Sequence, residues 1–170
     1  MKLRLFHHGL VCLGFLAAAS PVALAASRSQ LMSESAQCKD YLSWKIPRFR
    51  VARKDISEDG SAVVLYISIA PSYIDREDLI TLGCALGRQY ADRDSLRVHI
   101  MDSYRAAKRF NPQGEGNDRQ TNLSNRASYG FGRDTHGGTS GQYLDWRPSA
   151  DEPGWNHIDL GPSPVRGTGG

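Results

Sequence analysis

Between Ser61 and Ala70 the chain reads Ser-Ala-Val-Val-Leu-Tyr-Ile-Ser-Ile-Ala. In an extended strand Val63, Leu65, Ile67 and Ile69 fall on one face, and Val64 and Tyr66 make the opposite face apolar as well. A strand that is apolar on both sides has to be covered on both, which is the usual situation of a central strand. Pro71 ends it, because proline has no amide hydrogen to donate to a ladder. The rest of the fold is organised around this segment.

A helix is expected next, over 75–90. Asp75 has the chemistry of an N-cap, and Ile74 and Leu79 have the spacing of a hydrophobic staple around it. Leu79, Leu82, Leu86 and Tyr90 share one helical face. Gly83 lies on that face, where the missing side chain would let the helix approach a sheet closely. Before the central strand, 48–56 alternates as a half-buried strand, with Phe49 and Val51 on one side and Arg48, Arg50 and Ala52 on the other; Asp59-Gly60 supplies the turn between the two. After the helix, Leu96, Val98 and Ile100 alternate in a third strand, His99 points off that face to solvent or to a cover from the second half, and 104–110 forms a short helix. Ala127, Tyr129 and Phe131, then Tyr143, Leu144 and Trp146, read as a hairpin, and 155–160 as a last short strand or packed coil. The order β-β-α-β followed by a hairpin predicts an α+β domain. Its sheet is small and mainly antiparallel, with four to five strands and one principal helix on one face.

The first 26 residues stand apart. Lys2 and Arg4 precede an apolar run from Leu10 to Ala19, and Ala23 and Ala25 supply the small residues of a cleavage site, so 1–26 reads as a secretory signal peptide. The run is about half the roughly 20 residues needed to span a bilayer, so no stable membrane insertion is expected after cleavage. Cys12 leaves with the signal, and Cys38 and Cys84 remain; in an exported chain such a pair reads as one disulfide. Taking Lys2 and Arg4 from the 21 basic residues, against 18 acidic ones, leaves a formal charge of +1, too balanced for a nucleic-acid partner. The chain is thus expected to be secreted or periplasmic. Residues 27–47 would be an N-terminal arm and 48–160 a single domain with a flexible loop near 111–125. A disordered tail would follow over 161–170.

No phosphate loop, dinucleotide fingerprint or nucleophile elbow occurs, so no cofactor or metal is expected. Chemistry has two weak candidates. Asp134 and His136 stand in a glycine-rich loop, and His157 and Asp159 would share one face of a strand. Arg48, Arg50 and Arg53 crowd the first strand, either as edge protection or as a seat for carboxylates. Tyr129, Phe131, Tyr143, Trp146 and Trp155 gather in the second half as core or contact surface. The reading that follows is an exported, non-enzymatic binding protein whose partner is a protein or small ligand of the envelope or extracellular space. The alternatives are a small secreted hydrolase, with or without a metal, using His136 and His157 with Asp134 and Asp159, and a periplasmic inhibitor or immunity protein.

Overall fold

A computed structural model of the chain describes residues 33–41, 43–132, 141–151 and 154–164. The expected signal peptide, Asp134, His136 and the last residues of the expected tail lie outside the described residues. One sheet holds β1 (Ser33–Ser35), β2 (Phe49–Ile56), β3 (Ala62–Ile69), β4 (Ser95–Met101), β5 (Asn125–Phe131), β6 (Gly141–Trp146) and β7 (Asn156–Pro162). Three helices accompany it: α1 (Arg76–Gln89), α2 (Tyr104–Arg109) and α3 (Arg119–Ser124). Across the sheet the strands run β1-β7-β6-β5-β4-β3-β2. The β3–β4 and β1–β7 pairs are parallel and every other neighbouring pair is antiparallel. The class is α+β and the sheet mostly antiparallel, as expected.

The expected four to five strands are too few. Beyond the hairpin, Asn156–Pro162 pairs fully with β6, and Ser33–Ser35 of the N-terminal arm adds a parallel edge to β7. β3 is also not central. It is next to the last strand, and both its faces are apolar because a layer of helix covers each one.

On one face α1 packs its leucines against the inward residues of β3, β4, β5 and β7. Asp75 caps it, its carboxylate accepting the Asp78 N–H at 2.8 Å. Gly83 and Gly87 let the helix settle on the flat ring of Tyr129: a Cβ at Gly83 would lie 2.6 Å from the ring, and one at Gly87 would meet the hydroxyl. That hydroxyl donates to Gln142 Oε1 at 2.7 Å, and Gln142 Nε2 donates to the Pro162 carbonyl at 2.7 Å, so the buried polar atoms under the helix are satisfied. Cys38, in a 3-10 turn over Cys38–Tyr41, is joined to Cys84 of α1 with Cα atoms 5.4 Å apart. The disulfide read from the sequence is present.

On the other face α2 covers only the β2–β4 side. Ala107, Phe110, Met101 and Tyr66 form a second, smaller apolar cluster there. One principal helix on one face is therefore incomplete as a description. The stretch expected as a flexible loop near 111–125 contains α3, capped by Asp118, and a turn tied by Asn111 and Asn117 through bonds of 2.9 and 2.7 Å. No helix among the described residues is long and apolar enough to cross a membrane.

Candidate functional site

Parallel β3 and β4 send their chains to opposite faces of the sheet, β3 into α1 and β4 into α2. Diverging connections of this kind leave a crevice beyond the carboxyl ends of the strands, where ligands characteristically bind in open sheets. A cavity of about 750 Å3 lies there. Its walls include Arg48 and Arg50 from the β2 side, Ser68 and Ile69 at the end of β3, and Asp102 and Tyr104 just past β4. Arg50 stacks on the Tyr104 ring at 4.2 Å. Asp102 is bound by Arg126 Nη1 at 3.1 Å, and Arg126 also donates to the Pro148 carbonyl.

Two of the large apolar side chains that remain in water lie at this end of the sheet. Trp44, Ile46, Val51, Ile56 and Tyr104 are the exposed large hydrophobics among the described residues, and Ile46 and Tyr104 line the cavity. Exposed apolar side chains beside a cavity on an otherwise charged exterior suit a contact site.

The arginines on β2 have two kinds of work. The pairing with β3 slips between Val51 and Arg53, so the alternation expected along this strand breaks there. After the slip Arg53 lies opposite Tyr66, with its guanidinium 3.6 Å from the ring centre and Nη2 donating to the Phe110 carbonyl at 3.2 Å. Tyr66 stacks on His99, which in turn meets the Phe110 ring. His99 is only 7% exposed, and neither ring nitrogen has a hydrogen-bond partner. Burial, helped by Arg97 and Arg53, pushes its pKa down to about 4, so the ring is neutral at neutral pH. The expected exposure of His99 to solvent is not observed: Tyr66 and Phe110, at the end of the short helix expected over 104–110, cover it.

The residues first singled out for chemistry divide. His157 and Asp159 do share a face of β7, but the partner of His157 is Asp145 on β6, directly opposite in register, with Nδ1 2.6 Å from Oδ1. Asp159 instead accepts the Gly161 N–H at 2.8 Å. Tyr143 stacks beside His157 and lies over Gly130, and burial raises its hydroxyl pKa. No group of three His, Cys, Asp or Glu side chains is placed to hold a metal among the described residues. Asp145 was missed from sequence; its signal was the alternation Tyr143, Asp145 across a hairpin, which selects a partner only once the register is known. Comparison with protein-family models, curated proteins and solved structures finds no match.

Proposed function

We propose that this is an exported, non-enzymatic binding module, and that its ligand sits in the cavity at the carboxyl ends of β3 and β4. The observation that carries the reading is convergence: the cavity, the diverging chain connections and two of the exposed large hydrophobics, Ile46 and Tyr104, share one end of the sheet. Arg48 and Arg50 on the rim suit a ligand with an apolar body and a carboxylate, since a guanidinium offers a paired set of donors to a carboxylate. Export rests on the charged start, short apolar run and small-residue site of 1–26, and the Cys38–Cys84 disulfide is consistent with an oxidising compartment.

The test is a titration of isotope-labelled protein with an aryl carboxylate such as phenylpropionate, followed by amide chemical shifts. Shifts should gather at Arg48–Arg50, Ser68–Ala70 and Asp102–Tyr104, and Arg48→Ala with Arg50→Ala should abolish them. Shifts scattered over the surface would remove the cavity from consideration. The hydrolase reading keeps one observation in its favour, the 2.6 Å contact between His157 and Asp145, which would fix the imidazole tautomer as in a general base. Turnover of ester, peptide or phosphoester substrates that is lost in His157→Ala would replace the binding module by the hydrolase.

A further inference from the structure

β2 is an edge strand of eight residues, and among the described residues only β3 pairs with it. An open edge of this length presents unpaired backbone donors and acceptors to any extended chain that can reach it. The two faces of this edge differ in character. Register with β3 places Val51 opposite Ile67 and Ile56 opposite Val63, both on the face that carries α1, and each is about half exposed at 48% and 52%. Arg50 and Arg53 lie opposite Ser68 and Tyr66 on the other face, beside α2, where Asp55 pairs with Arg53 Nε at 3.3 Å and leaves Arg50 as the cation without a carboxylate on its own strand. Lys54, on the α1 face, is turned back over the Tyr90 ring at 5.0 Å and leaves Val51 and Ile56 as the outer apolar pair.

From this we infer that β2 receives an extended segment of a partner protein in which acidic and apolar residues alternate, added to the sheet as a further strand. An added strand puts successive side chains on opposite faces. Its apolar residues would lie beside Val51 and Ile56, and its carboxylates beside Arg50 and Arg53, the pairing that cross-strand neighbours favour. A second copy of this chain is a poor occupant. Self-pairing about the middle of the strand would bring Arg53 and Lys54 of one copy near the same residues of the other, Asp55 being already held by Arg53, and the register slip at Val51–Arg53 twists the edge away from an equally rigid partner strand. The inference rests on the binding-module reading and extends its seat from the cavity along the strand.

The experiment measures the affinity of short labelled peptides for the protein recovered from a secreting host, by fluorescence anisotropy. The first peptide alternates Glu and Val over a length that can pair with all of β2. A second alternates Lys and Val, and a third repeats the first with every other amide N-methylated, which blocks strand pairing but keeps the side chains. The Glu/Val peptide should bind at least about tenfold tighter than either of the others. Arg50→Glu with Arg53→Glu should reverse the preference between Glu and Lys, and Arg48→Glu with Arg50→Glu, which leaves the Arg53–Tyr66 stack in place, should weaken it. Equal binding of the methylated peptide overturns strand addition. Equal binding of Glu and Lys peptides, no binding of any, or a dimer through β2 in sedimentation overturns the acidic partner. If phenylpropionate still shifts the cavity amides while all peptides fail, the cavity reading stands and strand addition alone falls.

Discussion

At the scale of single residues, His99 is the most consequential side chain outside the cavity. It sits between Tyr66 and Phe110 with both ring nitrogens unpartnered, and it shares its surroundings with Arg53 and Arg97. Its folded-state pKa is lowered from 6.5 to about 4, so the unfolded chain binds this proton more readily than the folded one. Above the unfolded value both states are neutral and nothing is lost. As pH falls from about 6.5 towards 4, the unfolded state gains the proton alone and stability drops, by about 3 kcal/mol in total. His99→Leu should be more stable than the parent at neutral pH, because two unsatisfied buried nitrogens disappear. The gap between variant and parent should then widen on acidification over this window. Urea unfolding of both proteins at a series of pH values checks this, and a constant gap would show that His99 does not titrate on unfolding.

At the scale of elements, the closest fit is α1 against β5. Gly83 faces the ring carbons of Tyr129 and Gly87 faces its hydroxyl, so an added methyl collides differently at the two positions. Gly83→Ala and Gly87→Ala should each cost roughly 1–3 kcal/mol through overpacking. In a Tyr129→Phe background, which removes only the hydroxyl, Gly87→Ala should cost at least about 1 kcal/mol less, whereas Gly83→Ala should cost the same. Thermal or denaturant unfolding of the two double-mutant cycles decides it. The same contact shows where sequence legibility ends. Gly83 could be read as a point of close approach because it shares a helical face with Leu79, Leu82 and Leu86, and helical period is a local property. Its partner could not be read, because which strand passes under the helix is set by the order of the sheet. The cap at Asp75, the helix between the second and third strands and the β5–β6 hairpin were legible for the same local reason. The pairing of His157 with Asp145 was hidden because a one-residue change of register moves every side chain to the other face. β1 was hidden because Ser33-Glu34-Ser35 has no apolar alternation to announce a strand. The slip in β2, which decides that Arg53 stacks on Tyr66, leaves no trace in composition.

At the scale of the whole molecule, the N-terminal segment lies far in sequence from everything it touches. β1 borders β7 at one edge of the sheet, and a few residues later Cys38 is bonded to α1, which belongs to the β3–β4 crossover. The bond closes a loop of 46 residues and ties this arm to the principal helix. Constraining a loop of that size in the unfolded chain is worth about 3–4 kcal/mol. Cys38→Ala with Cys84→Ala, or reduction of the parent, should therefore lower the unfolding midpoint by a corresponding amount, and the reduced parent should recover on reoxidation while the variant does not. The compartment enters at this point, because a cytosol that keeps thiols reduced would leave the molecule in its weaker form. Produced with residues 1–26 in a secreting host, the protein should be recovered with its first residue at Ala26 or Ser27 and no thiol that titrates. Produced without them in a reducing cytosol, it should show two titratable thiols and the lower midpoint until oxidised. Intact mass, thiol titration and thermal unfolding of the two preparations measure all of this. Equal midpoints would mean that the arm is held by packing alone, and an uncleaved exported chain would mean that 1–26 anchors the protein where it was expected to release it.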